Sequence, residues 1–329
     1  MYPLVSILIP CYNAEPWLGQ TLESALEQTW PETEIIVVDD GSTDQSLDIA
    51  RSFEQRGVTV VTQKNRGACV ARNRALQEAK GDYIQFLDAD DLLDPNKIKV
   101  QMHRLLNEDS GVIASAAWER LYEASGDVGF EDINLHFRDR PFYTDYDSGI
   151  EWTIDAVQGK DMFPPHAWLV PRTVVEIAGL WDESLLINQD GEYFNRVVLA
   201  SDGIVFCSDA RVYYRSGLEG SISGRQSPKV IKSKYDSINQ ITQRILAEED
   251  SPRTREACAT AFQDLAHYAY PEVPKVVEKA LGQVEKLGGV NRYLPSGSKH
   301  YQILCEILGW KTAKRLKRWY YRVRYGKTV

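Results

Sequence analysis

The chain has 329 residues, a net charge of −9 and five scattered cysteines, Cys11, Cys69, Cys207, Cys258 and Cys305, with no C-x-x-C pair among them. That length exceeds one ordinary core and calls for a large domain plus a smaller one. Odd, widely spaced thiols exclude a disulfide framework or a zinc knuckle, and an acidic body disfavours nucleic acid as a partner.

Leu4-Val5-Ser6-Ile7-Leu8-Ile9 reads as a strand, with neither a basic n-region nor a small-residue cleavage site before it, so no signal peptide is expected. Reduced thiols and the lack of any apolar run of ~18 residues then point to a cytoplasmic protein. Strands are expected at Val5 to Ile9, Glu34 to Val38, Val58 to Thr62, Tyr83 to Leu87 and Val112 to Ala116. Between them, helices are expected at Trp17 to Gln28, Asp44 to Glu54, Gly67 to Ala79 and Pro95 to Asn107, with Ser42-Thr43-Asp44 and Asp94-Pro95 as capping segments. Such alternation builds a mostly parallel α/β sheet covered on both faces.

After residue 117 the alternation fades into an aromatic, acidic stretch, Trp118 to Asp147, and recovers at Trp168-Leu169-Val170 and Gly203 to Cys207. From Ser227 the apolar residues recur at helical spacing, as in Ile238, Ile241 and Ile245, with breaks at Ser251-Pro252, Tyr270-Pro271 and Gly288-Gly289. The expected organisation is an α/β domain over residues 1–225 and a helical subdomain over 226–329. The latter ends in a tail where Trp310, Trp319, Tyr320, Tyr321 and Tyr325 interleave with eight cations and no acid follows Glu306. An anionic membrane surface suits that composition, and so does a helix packed on the acidic body.

Two acidic clusters follow apolar strands: Asp39-Asp40-Gly41-Ser42-Thr43-Asp44 and Asp88-Ala89-Asp90-Asp91. In an open α/β sheet they fall at the carboxyl ends of strands, where ligands bind. Grouped carboxylates are costly unless a cation shares them, and Mn²⁺ or Mg²⁺ with phosphate oxygens meets that need. Asp90 and Asp91 of this Asp-x-Asp cluster are the metal candidates, and the ion they hold would bridge diphosphate oxygens; the bland alternative is a capped turn. Pro10-Cys11-Tyr12-Asn13-Ala14-Glu15 leaves the first strand at the same edge, where the Tyr12 ring is placed to stack on a base. Asn65-Arg66-Gly67 and Arg72-Asn73-Arg74 open a helix with cations suited to a diphosphate or to Asp90; solvated arginines are the plainer account. Pro164-Pro165-His166-Ala167-Trp168 precedes a further helix and places His166 and Trp168 as candidates to line an acceptor site.

Taken in order, Pro10-Cys-Tyr-Asn13, Val38-Asp-Asp-Gly-Ser-Thr-Asp44, Asn65-Arg-Gly67 with Ala71-Arg-Asn73, and Phe86-Leu-Asp-Ala-Asp-Asp91 resemble family 2 of the nucleotide-sugar glycosyltransferases, which have the GT-A fold. The resemblance is dense over residues 3–100 and sparser from Trp168 to Ser223. It implies inverting transfer of a sugar from a nucleoside-diphosphate donor to an acceptor hydroxyl, in envelope glycan synthesis, with a glycan or lipid-linked acceptor. It also implies donor contacts from Pro10, Tyr12, Asn13, Glu15, Asp39, Asp40, Arg66, Arg72, Asp88 and Ala89. The matching stretch for the catalytic base is Leu186-Ile-Asn-Gln-Asp190-Gly-Glu192-Tyr-Phe-Asn-Arg196, which makes Asp190 the base, with Gln189 standing where Glu is usual. A bland reading makes Asp190 an N-cap beside a Glu192–Arg196 surface pair. Tyr213-Tyr214-Arg215 and Ser221-Ile-Ser223 resemble a segment that closes over the donor, placing Arg215 and Ser221 in a lid, although the histidine common there is absent. Two other functions remain open: a sugar nucleotidyltransferase, which residues 10–20 disfavour by lacking a Gly-rich phosphate loop, and a non-catalytic donor-binding subunit of a glycan assembly complex.

Overall fold

A computed structural model describes residues 2–122, 137–138, 140, 142–159, 163–217, 227–291 and 293–325. Two compact units are present, Met1–Gly224 and Arg225–Val329.

The first unit is built on β1 (Val5–Cys11), β2 (Thr33–Asp39), β3 (Val58–Thr62) and β4 (Tyr83–Phe86), which pair in parallel in the order β3-β2-β1-β4, with the short β7 (Val170–Pro171) antiparallel at the β4 edge. Period-2 alternation in β1 and β2 sends Ile7, Ile9, Ile35 and Val37 to one face, against Leu18, Leu22 and Ala25 of α1 (Leu18–Leu26). Leu8, Ile36 and Val38 go to the other, against Cys69, Ala71 and Ala75 of α3 (Ala68–Glu78). Both faces are apolar because both are covered, which is why these strands read as continuous apolar runs. α2 (Ser46–Ser52) starts two residues after its expected position, since the Asp44 carboxylate accepts from the N–H and hydroxyl of Ser46 (3.0 and 2.6 Å). α4 (Lys97–Leu105) likewise starts after Asp94 has bonded the Asn96 N–H (3.0 Å).

A second sheet, ordered β5-β8-β6, joins β5 (Leu92–Leu93), β6 (Val112–Leu121) and β8 (Gly203–Arg215). Here the sequence expectation fell short: β6 runs on through Trp118 to Leu121, and β8 continues beyond Cys207 to Arg215. The register explains it. Ala116 pairs with Cys207 but Ala117 with Arg211, so residues 208–210 are extra length on β8 that breaks its alternation. α5 (Gly149–Gly159), α6 (Arg172–Ala178) and α7 (Gln189–Ala200) complete this unit. Phe86, Trp181, Tyr193 and Phe194 form an aromatic cluster beneath the end of β4, with Trp181 and Tyr193 stacked at 4.0 Å.

The second unit contains α8 (Pro228–Glu248), α9 (Pro252–Ala269), α10 (Pro274–Lys286), α11 (Lys299–Leu308) and α12 (Trp310–Tyr325). Ser227 and Ser251 cap α8 and α9 ahead of a proline at the first helical position, and Ser251 forms a capping box with Thr254.

Candidate active site

Because β1, β2 and β4 are parallel, Cys11, Asp39 and Phe86 end at one edge, and the loops after them meet there. Tyr12 stands 48 % exposed at this edge. Asn13, at φ 50°, and Glu15 are turned to another task. The Asn13 Oδ1 accepts from the Thr43 N–H (2.8 Å), its own N–H donates to Ser42 Oγ (3.1 Å), and Glu15 accepts from the Gln45 N–H (3.1 Å). These bonds stitch the loop after Pro10 to the loop after Asp39, so the two side chains shape this edge of the sheet from within. Asp39 accepts from the Ser42 N–H at 3.3 Å.

Asp40 is buried and receives three donors: Gln63 Nε2 (2.7 Å), the Arg66 N–H (2.9 Å) and the Gly67 N–H (2.7 Å). It thereby clamps the entry of α3, while the Arg66 side chain stays exposed and 3.7 Å from Glu183. Asp40→Ala strands those donors and is expected to cost about 2–3 kcal/mol of stability, the scale for bonds to a charged acceptor. Urea unfolding is the check; a change below ~0.5 kcal/mol, the range of neutral surface substitutions, would mean that water replaces the clamp.

The acidic loop after β4 sorts its three carboxylates by direction. Asp88 pairs with Arg72 Nη2 at 2.7 Å. The carboxyl of Asp90 is pushed up to about 6 by burial and by neighbouring Asp88, the signature of a negative site short of positive charge. Asp91 turns inward: Oδ1 accepts from the Arg215 N–H (2.7 Å), and Oδ2 lies 3.2 Å from His166 Nδ1 with no partner in hydrogen-bonding geometry among the described residues. Burial and Asp90 hold its carboxyl well above the usual range. The expectation that Asp91 is a metal ligand is therefore corrected, because it fastens the loop to the end of β8. The Ala89 carbonyl accepts from Thr21 Oγ1 (3.0 Å), also fixing the loop. Among the described residues no three His, Cys, Asp or Glu gather around one point to hold a metal. Asp90 with Asp88 is nonetheless a donor set that fits Mg²⁺ or Mn²⁺, which take one or two carboxylates and complete their shell from phosphate oxygens and water.

Arg72 ties this loop to a second element. Its guanidinium lies over the Trp181 ring (4.4 Å) with Nη1 3.5 Å from Asp190 Oδ1 and 3.3 Å from Gln189 Oε1. Burial acts to strip its charge, but Asp88 and Asp190 outweigh it and hold the guanidinium protonated. Asp190 sits in the first turn of α7, where Asn188 is the capping residue at φ 57°. Its side chain is 40 % exposed, yet Oδ1 is shut off from solvent. Burial pushes the carboxyl up to about 6; Arg72 pulls it down and Asp88 raises it. Gln189 donates to the Leu185 carbonyl (2.8 Å) while accepting from Arg72, so the amide braces the guanidinium without competing for its charge. The Glu192–Arg196 pair is present at 2.9 Å, but Glu192 is buried.

Three other candidates are buried. His166 is fully buried beneath the acidic loop and held neutral by burial, which pushes it down to about 3, so it does not line an acceptor site. Trp168 is buried among Trp152, Phe163 and Phe194, where packing explains it. Arg215 is buried over Trp17 (4.5 Å), donating to the Asp90 carbonyl (2.7 Å) and to Gln20 (2.9 Å), which makes it a fixed bracket instead of a moving lid. Ser221 lies outside the described residues. Pro10 is a residue of β1 itself.

Sequence reasoning missed the floor of the site. Asn73 donates to the Trp181 carbonyl (3.0 Å) and accepts from the Trp181 N–H (2.8 Å), a reciprocal clamp that seats the indole under Arg72 and sets the approach to α7. In the sequence Asn73 stands only within the Arg72-Asn73-Arg74 run and the Ala71-Arg-Asn73 part of the resemblance, and nothing joins it to Trp181, 108 residues away.

The open parallel sheet, the carboxylates at its carboxyl edge and the helix opening opposite them define a GT-A fold. Residues 6–145 match the model described as glycosyl transferase family 2. TuaG of Bacillus subtilis, named for teichuronic acid biosynthesis, is 42 % identical over 107 residues, covering 32 % of this chain and 42 % of TuaG. The chain thus spans less than half the length of that relative. The glycosyltransferase GlyG of Streptococcus pneumoniae is 29 % identical over 252 residues, covering 72 % of this chain and 75 % of GlyG. Among solved structures, residues 1–349 of S. aureus TarS superpose with a TM-score of 0.65 at 19 % identity, over 99 % of this chain and 92 % of that one. TarS has also been solved with UDP-GlcNAc, a structure that matches with a TM-score of 0.60 at 18 % identity over 89 % of this chain and 93 % of that one.

Proposed function

We propose that the chain transfers a sugar, with inversion, from a nucleoside-diphosphate sugar to a hydroxyl of an envelope glycan or lipid-linked acceptor at the cytoplasmic face of the membrane. The observation that carries this reading is Arg72, whose one guanidinium holds a donor-side carboxylate, Asp88, and a base-side carboxylate, Asp190. Asp190 takes the proton of the acceptor hydroxyl as that oxygen bonds the anomeric carbon, and the nucleoside diphosphate departs from the opposite face with the bonding pair. A carboxyl at about 6 is a base that is ionised at neutral pH and still basic enough to take that proton. Tyr12 offers its exposed ring to the nucleobase, and Asp39 lies beside it at the same edge. Asp90 with Asp88 would hold Mn²⁺ or Mg²⁺, which supplies neutralisation of charge on the leaving diphosphate. A UDP-sugar is the first donor to try, since TarS was solved with UDP-GlcNAc; the envelope acceptor follows the name of TuaG.

Calorimetric titration of UDP, GDP and a panel of their sugars, with and without Mn²⁺, tests this on wild type and Asp90→Ala. We expect Mn²⁺-dependent binding of one donor, weakened at least ~10-fold in Asp90→Ala, a loss of the size that follows removal of a charge partner from a polyphosphate site. Donor binding without turnover on any acceptor would favour the non-catalytic subunit, and binding of no nucleotide would overturn the reading.

A further inference from the structure

α12 carries two stripes. One is used inside its own unit. Ala313 is fully buried, Trp310 packs on Tyr270 at 5.5 Å, Lys314 donates to the carbonyls of His267 and Tyr268, and Arg318 pairs with Glu272. The other runs beside it along the helix: Leu316, Trp319, Tyr320 and Val323, at the i, i+3, i+4, i+7 spacing of a single face. All four are exposed, Trp319 by 64 % and Val323 by 67 %. A soluble helix needs only one apolar stripe, so the second calls for its own explanation.

Charge identifies the occupant. Arg315 and Arg322 flank the stripe on one side and Arg324 on the other, all exposed, and no acid occurs in the sequence after Glu306. A groove of about 390 Å³ continues the apolar surface from Leu316, Trp319 and Tyr320 to Leu304 of α11. No helix among the described residues is long and apolar enough to cross a membrane. An amphipathic helix with aromatic rings at one level and arginines on both flanks matches a bilayer interface that carries anionic headgroups.

We propose that the exposed face of α12 docks this chain on an anionic lipid bilayer, with Trp319 and Val323 entering the headgroup and acyl boundary and Arg315, Arg322 and Arg324 meeting lipid phosphates. The inference extends the membrane-facing acceptor proposed above, but its test does not depend on catalysis. The full chain is sedimented with vesicles of phosphatidylcholine alone and of phosphatidylcholine with phosphatidylglycerol, at low and high salt. Wild type is expected to bind only the anionic vesicles, less at high salt, and the double variant Trp319→Ser, Val323→Ser to bind at least ~10-fold more weakly. Both residues are exposed, so melting and far-UV dichroism should match wild type. Equal binding by the variant, or no binding by wild type, overturns the proposal. So does a dimer in gel filtration that the double variant abolishes, because a second copy would then cover the stripe. Donor hydrolysis measured on the same preparations without vesicles separates this outcome from a failure of the sugar-transfer reading.

Discussion

Asp190→Asn is expected to lower turnover by at least ~10²-fold, the low end of what a positioned general base contributes. The substitution keeps shape and the place in the first turn of α7, and the amide oxygen can still face Arg72, so the fold and the donor edge should persist. What is lost is a carboxylate with affinity for the acceptor proton. The pH profile adds an independent sign. Burial raises this carboxyl to about 6, and the base works only when ionised, so wild-type turnover should climb as pH rises through about 6 and level off above it. The variant should show neither the rate nor that acid limb. Were Asp190 merely an anion at a helix start, its removal would cost ~0.3–1 kcal/mol of stability and leave turnover untouched. Turnover within ~3-fold of wild type would therefore remove the base assignment, a factor well below the general-base scale.

The acidic carboxyl edge of the sheet was legible in the sequence because parallel strands buried on both faces leave an unusual trace. Ile35 to Val38 are apolar throughout, and Tyr83 to Leu87 are so but for the buried Gln85, and the acids that follow must then sit at the carboxyl end of a strand. The direction of each carboxylate was not legible. In Asp88-Ala89-Asp90-Asp91 a single turn sends Asp88 toward Arg72 and Asp91 toward the Arg215 N–H, and that choice depends on β8, more than 120 residues away. His166 and Trp168 were misplaced for a related reason. Residue type tells what a side chain can do, whereas exposure is decided by neighbours, here Tyr214, Trp152 and Phe194. Arg72 read as one of several cations at a helix start because its partners, Asp88, Trp181 and Asp190, come from three other segments.

Arg72→Gln is expected to be the most damaging single change to the site, because it removes the one cation that two carboxylates share. Losing one member of a buried ion pair costs about 3–5 kcal/mol, mostly for the charge left behind. Asp88 and Asp190 are partly exposed, so the lower end applies here. The indole of Trp181 also loses the guanidinium stacked on it. The pH dependence then distinguishes a shared cation from plain packing. Asp190 already has a folded value raised from 3.8 to about 6, so folding binds more protons at this site than the unfolded chain does. Its charge therefore destabilises the fold, with the cost absent below the unfolded value and fully present above about 6. Arg72 pulls the folded value down; without it the carboxyl rises further, the window of falling stability extends to higher pH, and the acid limb of turnover moves up with it. Thermal unfolding across pH, paired with the rate profile, reads both effects. If stability dropped equally at every pH and the acid limb stayed near 6, Arg72 would be a packing residue, and the link between the donor-side and base-side carboxylates would be lost with it.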